Sequence, residues 1–430
     1  MPRLPDPRFA PDCAISVDGD RVPARRGESV TSALLAAGRP LVSRSPKYHR
    51  PRGPFCLSGS CAACLVRVDG QPNVRACQTP CRDGLTVETQ NALGTAAHDL
   101  LRAIDLFTPG GIDHHHIGTW SQLASRVTVG ASRQLAGLGQ LADGVAPPWP
   151  AAEEERFDAL VVGSGPAGLG AAEALARAGL RVLVAEKERA AGGRLRCRLD
   201  LPRDPPLAWA GEVAEAVRGA GGEVALGAAV LGVWPGEEGA RAAVTQRGEP
   251  PRLRLVRAAR VVLASGTWAQ PPVFERNDLP GVFGARGLLV ALAEDGVVPG
   301  QRAAVLGEGP EAEAVAARLA DAGMAVERVA AEVARGRGGR RLAALELADG
   351  RTIRCDTLAV ATPRMPAAEL AREVGAALEL DPATGAFRVR PGPDGGVADG
   401  CWAAGEVTGP LDAAEAAEAG RRAGEAASHG

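Results

Sequence analysis

The sequence predicts an α/β chain led by a small β-grasp (α+β) module. Two observations carry that expectation. From Phe157 onward, short apolar strands (FDALVVGSG, RVLVAEK, ARVVLASG, RAAVLGEG, TLAVAT, CWAAGE) alternate with Ala-rich helical stretches, the pattern of parallel sheets covered by helices. Ahead of them, AISVDGDRVPA reads as a hairpin turning at Asp18-Gly19, and SVTSALLAAG as a short helix capped by Ser29 or Thr31. LVRVDG and GLTVET then read as further strands of the same module.

The expected division is a β-grasp module over 1–94 and a helical linker over 95–155. The first α/β domain takes 156–298 and 366–430, interrupted by a second, shortened one over 299–365. In the linker, TAAHDLLRAIDLF and SQLASRVTVGASRQLAGLGQLA have helical spacing, and VAPPWPAAEEE reads as a connector. The triplet His114-His115-His116 stands between them. Neighbouring side chains on an extended chain alternate faces, so only two could converge, and we do not read it as a metal site.

At 430 residues and a formal net charge of −2, the chain has material for two or three domains, and its bulk charge predicts no nucleic-acid partner. No apolar run approaches the ~18 residues that span a bilayer, and MPRLPDPRFAPDC has no signal-peptide core, so the expected location is the cytoplasm. The 55 glycines and 33 prolines lie among Ala, Val and Leu, which suits tight βα turns rather than disorder.

In a reducing compartment, nine cysteines point to metal ligands or buried packing rather than disulfides. Cys13, Cys197, Cys355 and Cys401 are scattered and read as packing. Cys56, Cys61, Cys64 and Cys77 have the spacing C-x4-C-x2-C-x12-C, which resembles the plant-type [2Fe–2S] arrangement. Ser58, Gly59, Ser60, Ala62 and Ala63 keep the loop small, so that backbone N–H groups can approach sulfur. A zinc site of four thiolates from Cys61, Cys64, Cys77 and Cys81 is the competing reading. It strands Cys56 and leaves the small-residue loop unexplained.

VVGSGPAGLGAAEALARAGLRVLVAEK places Gly163, Gly165 and Gly168 between a strand and a helix, with Glu186 ending the next strand. The first glycine permits the turn, the second admits a pyrophosphate, and the third lets helix and sheet close. Glu186 is placed for a ribose hydroxyl. Pro166, Ala167 and Lys187 belong to the same motif, and Gly193 and Arg194 come from AAGGRL, which resembles flavoproteins of the two-dinucleotide-domain type. Val230 is a further candidate residue for the nucleotide. RVVLASGTWAQPP, with Ser265-Gly266, resembles the second motif of those flavoproteins. GCWAAGEVTGPLD, with Gly405-Glu406 where Gly-Asp is usual, resembles their closing motif. Together these predict FAD. A further turn, VLGEGPEAEA, has Gly307 and Gly309 but Ala312 third, and reads as a degenerate fold that packs.

RSPKYHRPRG, preceded by GESVTSALLAAG and followed by PNVRACQTPCRDGLTVETQN, resembles the α subunits of heterotetrameric sarcosine oxidases. SRQLAGLGQL resembles their AGLG segment. The α subunits of dye-linked proline dehydrogenases, opine oxidases and hydrogen cyanide synthase are similar. Up to ASHG, this chain has no counterpart of the folate-binding domain or of the extra C-terminal cysteine cluster that some relatives carry. The resemblance implies an electron-transfer α subunit of an amine, imino-acid or opine dehydrogenase or oxidase. A flavoprotein β subunit of the glycine- or sarcosine-oxidase type would oxidise the C–N bond and pass electrons to an acceptor through this chain. It also implies NAD or ATP as alternatives to FAD at the first turn, and an FMN at the subunit contact as one electron route. Two other functions remain open at this point: a stand-alone NAD(P)H:acceptor reductase, and a regulatory or assembly subunit with a structural nucleotide. No catalytic residue is assigned.

Overall fold

The computed structural model describes residues 3–103, 120–135, 151–236, 239–248, 251–382 and 384–429. The triplet His114-His115-His116 and most of SRQLAGLGQL lie outside them. The chain divides into two compact units, one formed by 1–146 and 271–362 and the other by 147–270 and 363–430.

The first unit contains two modules. In one, the strands Cys13–Val17 and Asp20–Ala24 pair antiparallel around Asp18 (φ 51°) and Gly19 (φ 88°), the left-handed pair that a tight hairpin turn requires. Thr86–Glu88 runs parallel to Cys13–Val17, and Leu65–Val68 and Gln71–Arg75 complete a five-stranded sheet. Helix Val30–Ala36 covers it, and Ser29 is the cap, accepting from Ser32 N–H at 3.0 Å. Ile15, Val17, Val22, Leu34, Val66 and Val87 are buried between helix and sheet. This is the β-grasp arrangement expected from the sequence.

The other module of this unit is more complete than a shortened domain. Four parallel strands lie in the order Val282–Gly284, Thr357–Val360, Arg302–Leu306 and Ala325–Val329. Three antiparallel strands (Val333–Arg337, Ala344–Leu347, Thr352–Ile353) form a separate sheet. The units divide at 270/271 and 362/363. The reason is the strand Val282–Gly284. Only three residues long, it has no apolar run to reveal it, yet it pairs with Thr357–Val360.

The second unit is a sheet in the order Glu223–Leu226, Val182–Glu186, Glu153–Val162, Arg252–Leu263, Ala240–Gln246 and Ala228–Trp234, with Cys401–Ala403 alongside Arg252–Leu263. Its central strand is buried on both faces: Leu160 and Val162 enter one core, Ala159 and Val161 the other. That explains the unbroken apolar run in the sequence. The strand starts earlier than expected, at Glu153, because Glu153 and Glu155 meet Arg252 and Arg254 across the ladder. The connector expected to run through Glu155 thus stops at Ala152. Similarly, Thr95–Asp99 is not helical, the turn Leu100–Arg102 follows under an Asp99 cap, and the stretch beyond Ala103 lies outside the described residues.

Helices Pro166–Arg177 and Ala413–His429 approach so closely that their glycines have no room for a side chain. A Cβ on Gly170 would lie 2.2 Å from the Ala417 carbonyl oxygen, and one on Gly420 would lie 1.9 Å from that of Ala167. Gly420→Ala is therefore expected to destabilise the chain by about 1–3 kcal/mol, the usual cost of overpacking. A urea titration followed by circular dichroism checks it, as a lowered unfolding midpoint.

Candidate iron–sulfur and dinucleotide sites

The loop from Phe55 to Cys64 leaves the strand Pro51–Arg52 and wraps its own sulfur atoms. Leu57 (φ 55°) and Gly59 (φ 69°) turn it back, which aims amide hydrogens inward. Ser58 N–H and Cys61 N–H approach Cys56 Sγ at 3.5 and 3.4 Å, and Gly59 N–H approaches Cys77 Sγ at 3.3 Å. Cys56, Cys64 and Cys77 are buried. The four thiols meet in a row: Cys61 with Cys56, Cys56 with Cys77, and Cys77 with Cys64. The Cys61 thiol holds Cys56 well below the usual thiol range, and Cys77 does the same to Cys64. In return, contact with Cys56 pushes Cys61 and Cys77 up. One member of each pair is thus disposed to be a thiolate, the form that ligates iron, and metal would displace the remaining protons.

These residues fit a two-iron cluster better than a single ion. Cys56 with Cys61 and Cys64 with Cys77 offer two pairs of thiols, which suits a cluster of two irons. Cys81, which a four-thiolate zinc site would need, lies elsewhere. It is buried beside Glu28, Cys13, Asp295 and Arg3, and burial pushes its thiol up. Cys355 and Cys401 are also buried, and burial pushes them to about 12 and about 11. Those are packing thiols.

In the second unit, Gly163 (φ 95°) makes the turn and Gly165 caps helix Pro166–Arg177, with Pro166 at its first position. A Cβ on Gly163 would meet the Ala264 carbonyl oxygen at 2.5 Å, and one on Gly168 would meet that of Gly163 at 1.9 Å. Around Gly165, by contrast, the nearest neighbour of a Cβ is Gly193 Cα at 3.9 Å, so the turn is open where a phosphate oxygen would sit. Ala167 is buried under Gly405 and Gly420. Gly192 N–H donates to the Ser164 carbonyl at 2.9 Å, which lays Gly193 and Arg194 against the same turn.

Glu186 is 6% exposed, and its carboxylate is already oriented. Ser164 N–H and Oγ–H donate to Oε2 at 2.8 and 2.6 Å, and Glu188 N–H donates to Oε1 at 2.8 Å. A carboxylate has about four acceptor positions, so one remains for a ribose hydroxyl. The Lys187 carbonyl is held by Arg247, and Val230 stands where the strand Ala228–Trp234 shifts register. Ser265 Oγ–H donates to the Ala367 carbonyl at 2.7 Å, and Gly266 (φ 70°) turns beside it.

At the closing turn, Gly405 (φ 84°) precedes Glu406, whose carboxylate meets Arg194 at 3.3 Å and Thr267 Oγ1 at 3.3 Å. Arg194 also donates to the Leu411 carbonyl at 3.1 Å, while its Nε is buried without a partner. An orphaned guanidinium N–H beside a helix N-terminus fits an anionic nucleotide. The longer Glu, in place of the usual Asp, is thus anchored by an arginine. Ser164, Thr267 and Arg364, which donates to Thr267 Oγ1 at 2.8 Å, are site residues that motif reading passes over. Ser164 and Thr267 lie inside the quoted motifs as variable positions, whereas Arg364 carries no sequence signal.

Comparison with known proteins agrees with this geometry. Residues 11–92 match the 2Fe-2S iron-sulfur cluster binding domain family, and 161–210 match the NAD(P)-binding Rossmann-like domain family. The sarcosine oxidase subunit alpha of Rhizobium meliloti (strain 1021) is 29% identical over 387 residues, 81% of this chain and 39% of the relative. The hydrogen cyanide synthase subunit HcnA of Pseudomonas aeruginosa is 41% identical over 80 residues, 19% of this chain and 76% of the relative. The chain belongs to this family of oxidase α-type subunits. The crystal structure of L-proline dehydrogenase from P. horikoshii has the same fold, with a TM-score of 0.76 at 22% identity, over 98% of this chain and 74% of that one. The family member described here spans about two fifths of the sarcosine oxidase relative's length.

The second Gly-rich turn of this chain carries Ala in the third glycine's place. Gly307 (φ 144°) and Gly309 (φ 80°) keep the turn, but Ala312 is fully buried in third place. Glu311, in the first turn of helix Gly309–Asp321, is ion-paired with Arg286 at 2.8 Å.

Two outcomes are expected. Cys77→Ser should lose iron, while Cys81→Ser should keep about two irons and two sulfides per chain, as measured by metal and sulfide analysis. Ser164→Ala should weaken ADP binding about tenfold, the scale of one hydrogen bond to a charged group, as measured by calorimetry on nucleotide-free chain.

Proposed function

We propose that this chain is the electron-transfer subunit of a multi-subunit amine, imino-acid or opine dehydrogenase or oxidase. One observation carries the reading: a single chain presents a four-thiol iron–sulfur loop and a dinucleotide turn, with no substrate-oxidising constellation among the described residues. In this reading Cys56, Cys61, Cys64 and Cys77 hold a [2Fe–2S] cluster. Gly163, Gly165, Gly168, Glu186, Arg194 and Glu406 hold FAD. Once bound, flavin can exchange one or two electrons and the cluster one, which together convert a two-electron oxidation into single-electron steps.

The rest is the chain's own work. The α-helix N-terminus at Pro166 and the buried Arg194 guanidinium offset the charge of a pyrophosphate. Glu186, fixed by Ser164, accepts from a ribose hydroxyl. Thr267 and Arg364 hold Glu406 at the closing turn. The loop amides of Ser58, Gly59 and Cys61 stabilise negative charge on the ligand sulfurs. A flavoprotein partner of the glycine- or sarcosine-oxidase type supplies the substrate pocket, and the donor class is CH–NH or CH–NH2. No helix among the described residues is long and apolar enough to cross a membrane, and we place the complex in the cytoplasm.

Expressed alone and loaded with cofactor, the chain should oxidise no sarcosine, proline, glycine or opine with an artificial dye, and NADH should not bleach its flavin absorbance. The reductase alternative, with a nicotinamide nucleotide at the second Gly-rich turn, is separated by the same assay. Turnover by the isolated chain would refute the proposal, and amine oxidation that appears on adding a flavoprotein partner supports it. The nucleotide released on denaturation identifies the occupant: FAD is expected, and NAD or ATP alone would remove the flavin from the relay.

A further inference from the structure

The first strand and helix of the second dinucleotide fold press on the iron–sulfur loop. Gly284 N–H, at the end of the strand Val282–Gly284, donates to the Phe55 carbonyl at 2.9 Å. In the first turn of helix Ala285–Asp295, a Cβ on Gly287 would lie 2.0 Å from the Cys56 carbonyl oxygen and 3.0 Å from Leu57 Cβ. One step earlier, a Cβ on Gly53 would lie 2.7 Å from Pro280 Cα, and Arg52 meets Asp278 at 2.6 Å. The backbone of 53–57 is thus seated on 278–287 with no side chain between them.

We propose that Gly287, with Gly284, is a positioning residue for the iron–sulfur loop, and that seating this loop is what the second dinucleotide fold does in this chain. The inference rests on the reading of the four cysteines as cluster ligands. Its physical basis is the short path from seat to sulfur. Leu57, held at φ 55°, directly precedes Ser58, and the Ser58 and Cys61 amides reach Cys56 Sγ at 3.5 and 3.4 Å. Such N–H···S contacts are of ordinary length for sulfur, and a shift of about an ångström at Cys56–Leu57 breaks them. Amide hydrogen bonds to ligand sulfur, and solvent access to it, set the reduction potential of an iron–sulfur centre.

The test compares Gly287→Ala with Gly211→Ala in the full chain. A Cβ at Gly211 meets nothing within 4 Å, so that variant controls for the substitution itself. Dithionite-reduced protein is examined by electron paramagnetic resonance, and the midpoint potential by redox titration. Gly287→Ala should shift the g-values and the potential, or lower iron content severalfold, while Gly211→Ala matches the wild type in all three. Full iron with an unchanged spectrum and potential in Gly287→Ala overturns the proposal. Should that variant not accumulate as folded protein, Asp278→Ala takes its place, because it removes the Arg52 contact at the stem of the same loop without adding an atom. An unchanged spectrum and potential there overturns the proposal equally. Wild-type chain that binds no iron would instead sink the cluster reading on which it rests.

Discussion

Backbone-to-backbone approach with no side chain between is the constraint on which both units depend. In one unit it lets the phosphate turn close, with Gly163, Gly168 and Gly193 each against another main-chain atom. It also joins helix Pro166–Arg177 to Ala413–His429, so the helix that presents the turn and the helix that follows the closing motif move as one body. In the other unit the same device holds the iron–sulfur loop. Dispersion between bare backbones is strong only at contact distance, so these places tolerate no added methyl. The cost is conformational: each glycine gives up more freedom on folding than any other residue.

Polar contacts do a different job. Glu28 and Asp295 are almost completely buried. Glu28 is matched by Arg3, and Asp295 by Arg25 and Ser32 Oγ–H. A buried pair of this kind adds little net stability over an apolar contact, but loss of one partner costs about 3–5 kcal/mol because a charge is stranded. These pairs therefore fix which surface of the β-grasp module meets helix Ala285–Asp295. Arg254 plays the same part in the other unit, fully buried between Glu155 and Glu223.

Much of the architecture was legible in the sequence because local rules agree with the global fold. Asp18-Gly19 makes a hairpin wherever it stands between strands, and a strand such as ALVV reads as doubly buried from its composition alone. The elements that escaped are those decided by partners distant in sequence. Val282–Gly284 is a strand only because Thr357–Val360 offers it a ladder, and Glu153–Arg156 is one because arginines face it. The sites divide in the same way. Glycine spacing reveals the phosphate turn, and cysteine spacing favours one metal centre over another. No spacing reports that Ser164 orients Glu186 or that Arg194 anchors Glu406.

The chain order of the two units has a consequence for biosynthesis. The β-grasp module leaves the ribosome first, but Gly287, which underlies Cys56, follows more than 200 residues later, after the whole first segment of the other unit. At ~5–20 residues per second, that interval is on the order of ten seconds or more. During it the thiol loop is present without its support, with a bare glycine surface still to arrive. Iron delivered early meets a loop free to adopt other shapes, and iron delivered late meets one already clamped. The order of translation thus makes cluster insertion and closure of the first unit two events separated in time.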